Sequence, residues 1–320
     1  MEKISFVIPI YNAQHTIKEL VNRIDNTLLQ REDNYEHEIL LVNDGSEDNS
    51  LNVCKEIAKN NAHVKILNLS RNFGQRNAIM AGFRYATGGL VVCLDDDLQT
   101  PPEEVWKLID TLANNDYDIV YGYYQSKKHS LLRNIGSKIN LLMARKFVGL
   151  PKEINMSSYF VVKDFIVKEV IKYNNPFPYM AGFMFRVTQK IGNIQIKHED
   201  RKYGTSNYSF SKLVSLWLSG FTSYSVKPLR SASLLGFCFA VLSFLGIVVL
   251  VIRKVIVPET QVGWTSLIIA VAFFGGIQLV SIGLLGEYVG RIFLSINKLP
   301  QYVVREKINL DNEQLGEIED

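Results

Sequence analysis

Apolar positions in the first hundred residues follow two alternating rhythms. Residues 4–10, 38–42, 64–69 and 90–94 are short apolar runs. Between them, residues 16–29, 51–60 and 75–86 carry apolar side chains at helical spacing, as in Ile17, Leu20, Val21, Ile24 and Leu28. Polar residues close the runs: Asn12 after the first, Asn43-Asp44-Gly45-Ser46 after the second, and Asp95-Asp96-Asp97 after the fourth. Strand and helix in alternation predict an α/β domain with a mainly parallel sheet and helices on both faces. Such sheets bind ligands at the carboxyl ends of their strands. Asn12, Asp44 and the three aspartates all fall at those ends, so they are expected to share one cleft.

The pattern changes further along. Residues 131–148 read as an amphipathic helix with Arg133, Lys138, Arg145 and Lys146 on its polar side. Residues 211–221 read as a second basic helix, with Trp217 among its apolar residues and Lys212 beside them. Helices of this kind either lie in a headgroup layer or pack on the sheet with a solvated lysine face. Two uncharged stretches follow, residues 233–252 and 265–286, each long enough to span a bilayer as a helix. Gly275, Gly276, Gly283 and Gly286 are expected to let the second helix approach a neighbour closely. Lys227, Arg230, Arg291 and Lys298 flank the pair, and Arg253 and Lys254 sit in the short linker. Both ends are expected inside, because the large N-terminal portion carries no export signal. The polar, acidic tail over residues 306–320 is expected to be disordered.

Composition adds limits rather than direction. The 320 residues carry a formal net charge of +3, too small to argue for nucleic acid. Cys54, Cys93 and Cys238 are far apart and odd in number, without the spacing of a zinc site or a disulfide framework.

The strongest chemical signal is Leu94-Asp95-Asp96-Asp97-Leu98-Gln99-Thr100-Pro101-Pro102. An apolar strand delivers three carboxylates into a turn, and the double proline prevents the strand from continuing. Crowded carboxylates repel unless a cation neutralises them. A hard divalent ion takes oxygen from one or two carboxylates and completes its shell with phosphate and water. On an extended segment Asp95 and Asp97 would point the same way and Asp96 elsewhere.

Several segments together resemble the family 2 glycosyltransferases of the GT-A fold, and more narrowly the polyprenyl-phosphate glycosyltransferases. They are Val7-Ile8-Pro9-Ile10-Tyr11-Asn12, Asn43-Asp44-Gly45-Ser46, Ser70-Arg71-Asn72-Phe73-Gly74-Gln75, Ala81-Gly82-Phe83, the acidic turn, and the run from Gly283 to Arg291. The resemblance covers nearly the whole chain. It implies a GT-A domain over residues 1–208, a juxtamembrane region over 209–230, a two-helix transmembrane hairpin over 231–290 and a cytoplasmic tail over 291–320. The implied reaction is inverting transfer of a sugar from a nucleotide-sugar donor, UDP-linked or similar, to undecaprenyl phosphate at the cytoplasmic face of the inner membrane.

The resemblance also implies roles. Pro9, Tyr11, Asn12 and Asp44, with Asp95 and Asp96, would hold the donor. Asp95, Asp97 and Gln99 would coordinate Mg²⁺ or Mn²⁺, and Asp97 and Arg201 would act on the reacting phosphates. This sequence departs from the family at Asn43, where Asp is common, and at Met156-Ser157-Ser158-Tyr159-Phe160, where many members carry a Gly-Asp-Phe-Arg-like segment with a candidate base. A phosphate acceptor is already ionised near neutral pH, its second pKa being about 6, so a strong base is dispensable. Two other readings stay open: a polysaccharide-synthesising member of the same family, and a membrane scaffold that keeps the fold with weak or no catalysis. Self-association through the glycine-rich spans also stays open.

Overall fold

The computed structural model describes residues 3–31, 35–124, 154–174, 178, 180–199, 227–256, 263–297 and 299–310. The chain divides into two units, one of residues 1–209 with 298–320 and the other of residues 210–297.

Strands β1 (Lys3–Ile10), β2 (Glu36–Asn43), β3 (Val64–Leu69) and β4 (Leu90–Cys93) form the parallel centre of the first unit. Their near-continuous apolar sequences suit strands covered on both faces. Strand β6 (Phe160–Lys163) runs antiparallel to β4, and β5 (Ile119–Tyr123) antiparallel to β6. Strand β7 (Ile191–Gln195) is parallel to β5, and β8 (Val304–Ile308) is antiparallel to β3. The eight strands lie in the order β7-β5-β6-β4-β1-β2-β3-β8. The expected mainly parallel sheet is therefore present, with β6 inserted antiparallel and β8 added antiparallel at one edge.

Side-chain alternation along β1 divides the core. Phe6 and Ile8 face α1 (Ile17–Leu29), α2 (Ser50–Asn60) and α4 (Val105–Asn114), where Leu20, Ile24, Cys54 and Leu108 are buried. Val7 faces α3 (Gln75–Tyr85), α5 (Asp164–Val170) and α6 (Met180–Val187), against Ile79, Phe83, Ile166 and Met184. Helices thus cover both faces, and the carboxyl ends of β1 to β5 and β7 share one edge.

The second unit contains α7 (Lys227–Ile256) and α8 (Trp264–Ile296), which enclose the two uncharged stretches. Phe239 of α7 meets Phe273 of α8 edge-on, with ring centroids 5.7 Å apart. Among the described residues, one helical segment is long and apolar enough to cross a membrane: Phe273–Leu294, with mean hydropathy 1.4 and none of it buried. Leu279, Ile282, Val289 and Phe293 are all more than half exposed.

One expectation is corrected. The tail is ordered at its start, because residues 304–308 form β8 rather than a solvated extension. Among the described residues, a β-carbon at Gly275, Gly276, Gly283 or Gly286 would meet nothing within 4 Å, so this face of α8 is open, and the expectation of a close neighbour is left untested. The basic helices expected at 131–148 and 211–221 lie outside the described residues.

Candidate active site

Four loops meet at the carboxyl edge of the sheet, and hydrogen bonds knit them together. The first follows β1. Asn12 adopts a left-handed conformation, φ 56°, which suits a short polar side chain at a sharp exit from a strand. Its backbone N–H donates to Ser46 Oγ at 3.1 Å, and its side-chain oxygen accepts from Glu47 N at 2.9 Å. Pro9 cannot donate to a ladder, and it lies two residues beyond the last β1–β4 pair, Val7 with Cys93. Tyr11 keeps 39% of its surface exposed, so its ring is available to lie on a planar ligand.

The second loop follows β2. Asp44 is 2% exposed, and its carboxylate accepts Phe73 N–H at 2.7 Å and Gly74 N–H at 2.9 Å. Burial pushes the Asp44 pKa up, and the two N–H donors pull against that without cancelling it. Asp44 therefore fixes the third loop, the one after β3. Gly45 permits this contact: its φ is +65°, and a β-carbon there would lie 2.5 Å from the Arg71 and Asn72 backbone. Asn43, also 2% exposed, donates its amide to Asn68 Oδ1 at 2.9 Å. A carboxylate in place of Asn43 would bury a second charge beside Asp44.

The fourth loop is the acidic turn. Strand β4 ends at Cys93, Asp95 follows without regular structure and Asp96 and Asp97 lie in a turn, in place of the expected extended segment. The three carboxylates separate nonetheless. Asp96 turns toward β1, where its carboxylate accepts Tyr11 N–H at 3.0 Å. Burial raises the Asp96 pKa to about 7, and the neighbouring charges of Asp95 and Asp97 push the same way. Asp95 faces α3 and the segment before β6: it accepts Gln75 Nε2–H at 2.7 Å and the Ser158 hydroxyl. Asp97 accepts Gln99 N–H at 3.1 Å, across Leu98. Leu98 has φ 60° and is 1% exposed, so the turn holds a bulky residue in the left-handed region, at a cost of roughly 1–2 kcal/mol. Gln99 O accepts Glu199 N–H at 2.8 Å.

The oxygen donors of Asp95, Asp97 and Gln99 suit a hard divalent cation. Among the described residues, no three His, Cys, Asp or Glu side chains form a metal-holding group by themselves. A cation held there would draw its remaining ligands from a diphosphate and water, and it would offset the charge that Asp95 and Asp97 place beside Asp96. Beside Asp95 opens a cavity of about 300 Å³ whose lining includes Gln75, Arg76, Tyr121, Met156, Ser158 and Met184.

Of the residues singled out from sequence, Pro9, Tyr11, Asn12, Asp44, Asp95, Asp96, Asp97 and Gln99 come together on this edge. Arg201 lies outside the described residues. Sequence reasoning did not identify Gln75 and Ser158 as the partners of Asp95. Ser158 stood out only as part of a departure from the family pattern.

Comparison with known proteins agrees with this geometry. The family model described as "Glycosyl transferase family 2" matches residues 5–191. Undecaprenyl-phosphate 4-deoxy-4-formamido-L-arabinose transferase of Proteus mirabilis (strain HI4320) is 33% identical over 323 residues, covering 100% of this chain and 98% of that protein. Among solved structures, glucosyl-3-phosphoglycerate synthase of Mycobacterium tuberculosis, in complex with Mn²⁺, UDP-glucose and phosphoglyceric acid, aligns with TM-score 0.51 and 14% identity, over 68% of this chain and 78% of that one. Mannosyl-3-phosphoglycerate synthase of Rubrobacter xylanophilus aligns with TM-score 0.52 and 16% identity, over 68% and 71%. These structures share the GT-A fold with the first unit. The acidic turn at the end of a parallel strand, the loops tied to it and the match over more than half of the chain have one common meaning: this protein belongs to glycosyl transferase family 2.

Proposed function

We propose that this glycosyltransferase moves a sugar from a nucleoside-diphosphate donor, UDP-linked, to a polyprenyl phosphate at the inner face of the cytoplasmic membrane. The observation that carries this reading is the reach of the similarity. Identity of 33% to a polyprenyl-phosphate sugar transferase runs through both the acidic turn and α8, whereas the solved neighbours cover only 68% of this chain. A lipid acceptor also suits a helix whose apolar side chains are exposed along its length, since such a helix needs a lipid environment. The multi-pass arrangement, with α7 as the second span and the catalytic unit on the cytoplasmic side, follows from the same reading.

Each residue has a task in this reading. Pro9, Tyr11 and Asn12 frame the base and ribose, and Asp44 holds the loop that closes over them. Asp95, Asp97 and Gln99 hold Mg²⁺ or Mn²⁺ beside the diphosphate. The bound cation supplies charge neutralisation for the leaving nucleoside diphosphate. Asp96 steadies the Tyr11 loop from beneath. Arg201 meets phosphate through its planar fork. The acceptor oxygen is already ionised, so the site need only align it in line with the anomeric carbon and exclude water. This removes the need for a carboxylate at Ser158.

The test uses membranes containing the full chain, labelled UDP-sugars, polyprenyl phosphate and Mn²⁺, followed by extraction into organic solvent. Label in the lipid fraction that disappears with chelator supports the reading. Label that stays aqueous with every donor, while the protein still binds nucleotide, favours the scaffold.

A further inference from the structure

The turn that carries Asp97 and Gln99 holds Leu98 in a conformation that side-chain-bearing residues avoid. Strain of this kind persists only where the surroundings over-determine it. Burial of the Leu98 side chain supplies part of that restraint. Further restraint meets at one guanidinium. Arg23 of α1 donates from Nε to Glu103 Oε1 at 2.8 Å and from Nη2 to Glu103 Oε2 at 2.7 Å, a two-pronged grip on the residue just after Pro101-Pro102. The same Nη2 reaches Glu199 Oε1 at 3.3 Å. Glu199 in turn donates its backbone N–H to Gln99 O at 2.8 Å. The chain leaving the turn and the segment hydrogen-bonded alongside it are therefore tied to the same side chain.

We propose that Arg23 is a positioning residue for the donor site: by gripping Glu103 and Glu199 together, it holds the strained Asp97–Gln99 turn in the shape that presents its oxygen donors. The proposal rests on the reading of this turn as the cation and diphosphate site. Glu103 and Glu199 are each about two-fifths exposed and Arg23 one-fifth, so the ion pairs themselves add little to global stability. Their effect is expected at the turn instead. A lysine keeps the charge but cannot fork, so it cannot hold both carboxylates in register.

The experiment measures Mn²⁺-dependent binding of UDP, with GDP and dTDP alongside, by calorimetry on the purified full chain, together with the thermal midpoint. Arg23→Ala is expected to weaken binding about 10-fold with little change in midpoint. Arg23→Lys is expected to recover less than half of that loss. Glu199→Gln, which preserves size and backbone, should weaken binding in the same direction, and it carries the test if Arg23→Ala does not fold. Lys168→Ala, which removes a surface pair with Asp164 on α5, should bind as wild type does. Unchanged binding in Arg23→Ala and Glu199→Gln, or full recovery with lysine, overturns the proposal and leaves the site reading intact. Absence of Mn²⁺-dependent binding in the wild type overturns both.

Discussion

The Ser158 hydroxyl donates a hydrogen bond to the Asp95 carboxylate, joining the segment before β6 to the acidic turn after β4. Gln75 holds the other oxygen of the same carboxylate at 2.7 Å. Ser158 is thus a neutral donor that orients Asp95 instead of competing with it. Ser158→Ala should raise the KM for donor about 10-fold, the usual loss for one hydrogen bond to a charged group. Ser158→Asp sets a second negative charge against Asp95 and should lower kcat/KM further, most strongly above the pH at which it ionises. Equal steady-state parameters for wild type and both variants would contradict the role assigned to Ser158.

Asp97→Ala should lower lipid-linked product by at least about 1000-fold, because the charge of the leaving diphosphate then lacks its principal anchor. The protein should still sediment with membranes, since neither α7 nor α8 depends on Asp97. Retention of full transfer by the variant would remove Asp97 from the cation site.

How far the sequence led differs between the two halves of the sheet. Strands β1 to β4 and helices α1 to α3 were readable to within about two residues, because doubly covered parallel strands are plain apolar runs and their helices are plainly amphipathic. The shared cleft followed from strand ends alone. Strands β5 and β7 were not read from the sequence, and β6 and β8 were not readable. Both are short, and β8 carries Arg305 and Lys307, as an edge strand does. Its partner β3 lies more than two hundred residues earlier, beyond any local signal. Leu98 was likewise hidden, since only Gly, Asn and Asp advertise a positive φ. Arg23 and Glu199 are 176 positions apart, and only the fold brings them together.

Gly45→Ala should be destabilising by roughly 2–4 kcal/mol, because its β-carbon would collide with backbone and cannot be relieved by a side-chain rotation. The Arg71–Asn72 peptide must then retreat, and with it the two N–H groups that Asp44 accepts. Loss of nucleotide affinity alongside a lower thermal midpoint is the expected pair of readouts. A normal midpoint would show that the two loops separate at no cost.

At the far edge of the sheet, Glu38 is 1% exposed and meets Lys65 Nζ at 2.7 Å and Lys3 Nζ at 3.1 Å. Burial alone would raise its pKa. Hydrogen bonds from Lys65, Ser5 and Thr87 more than reverse that, leaving about 2 against an ordinary 4.5. The folded state thus binds this proton less tightly than the unfolded chain does. Its contribution, on the order of 3 kcal/mol, is complete above the unfolded value and is lost as pH falls from about 4.5 toward 2. Thermal midpoints should drop steeply as pH falls from about 4.5 toward 2, and the slope should flatten in Glu38→Gln. An identical slope in that variant would assign the acid sensitivity elsewhere.

Strand β8 gives the sheet an unusual assembly history. The edge of β3 is complete only when residues beyond 300 pair with it, after both long helices have been made. During synthesis that edge waits with unpaired N–H and C=O groups while α7 and α8 leave the ribosome. Synthesis of the two long helices and closure of the sheet are thereby chained in time. A nascent chain that stalls within those helices would leave the β3 edge bare.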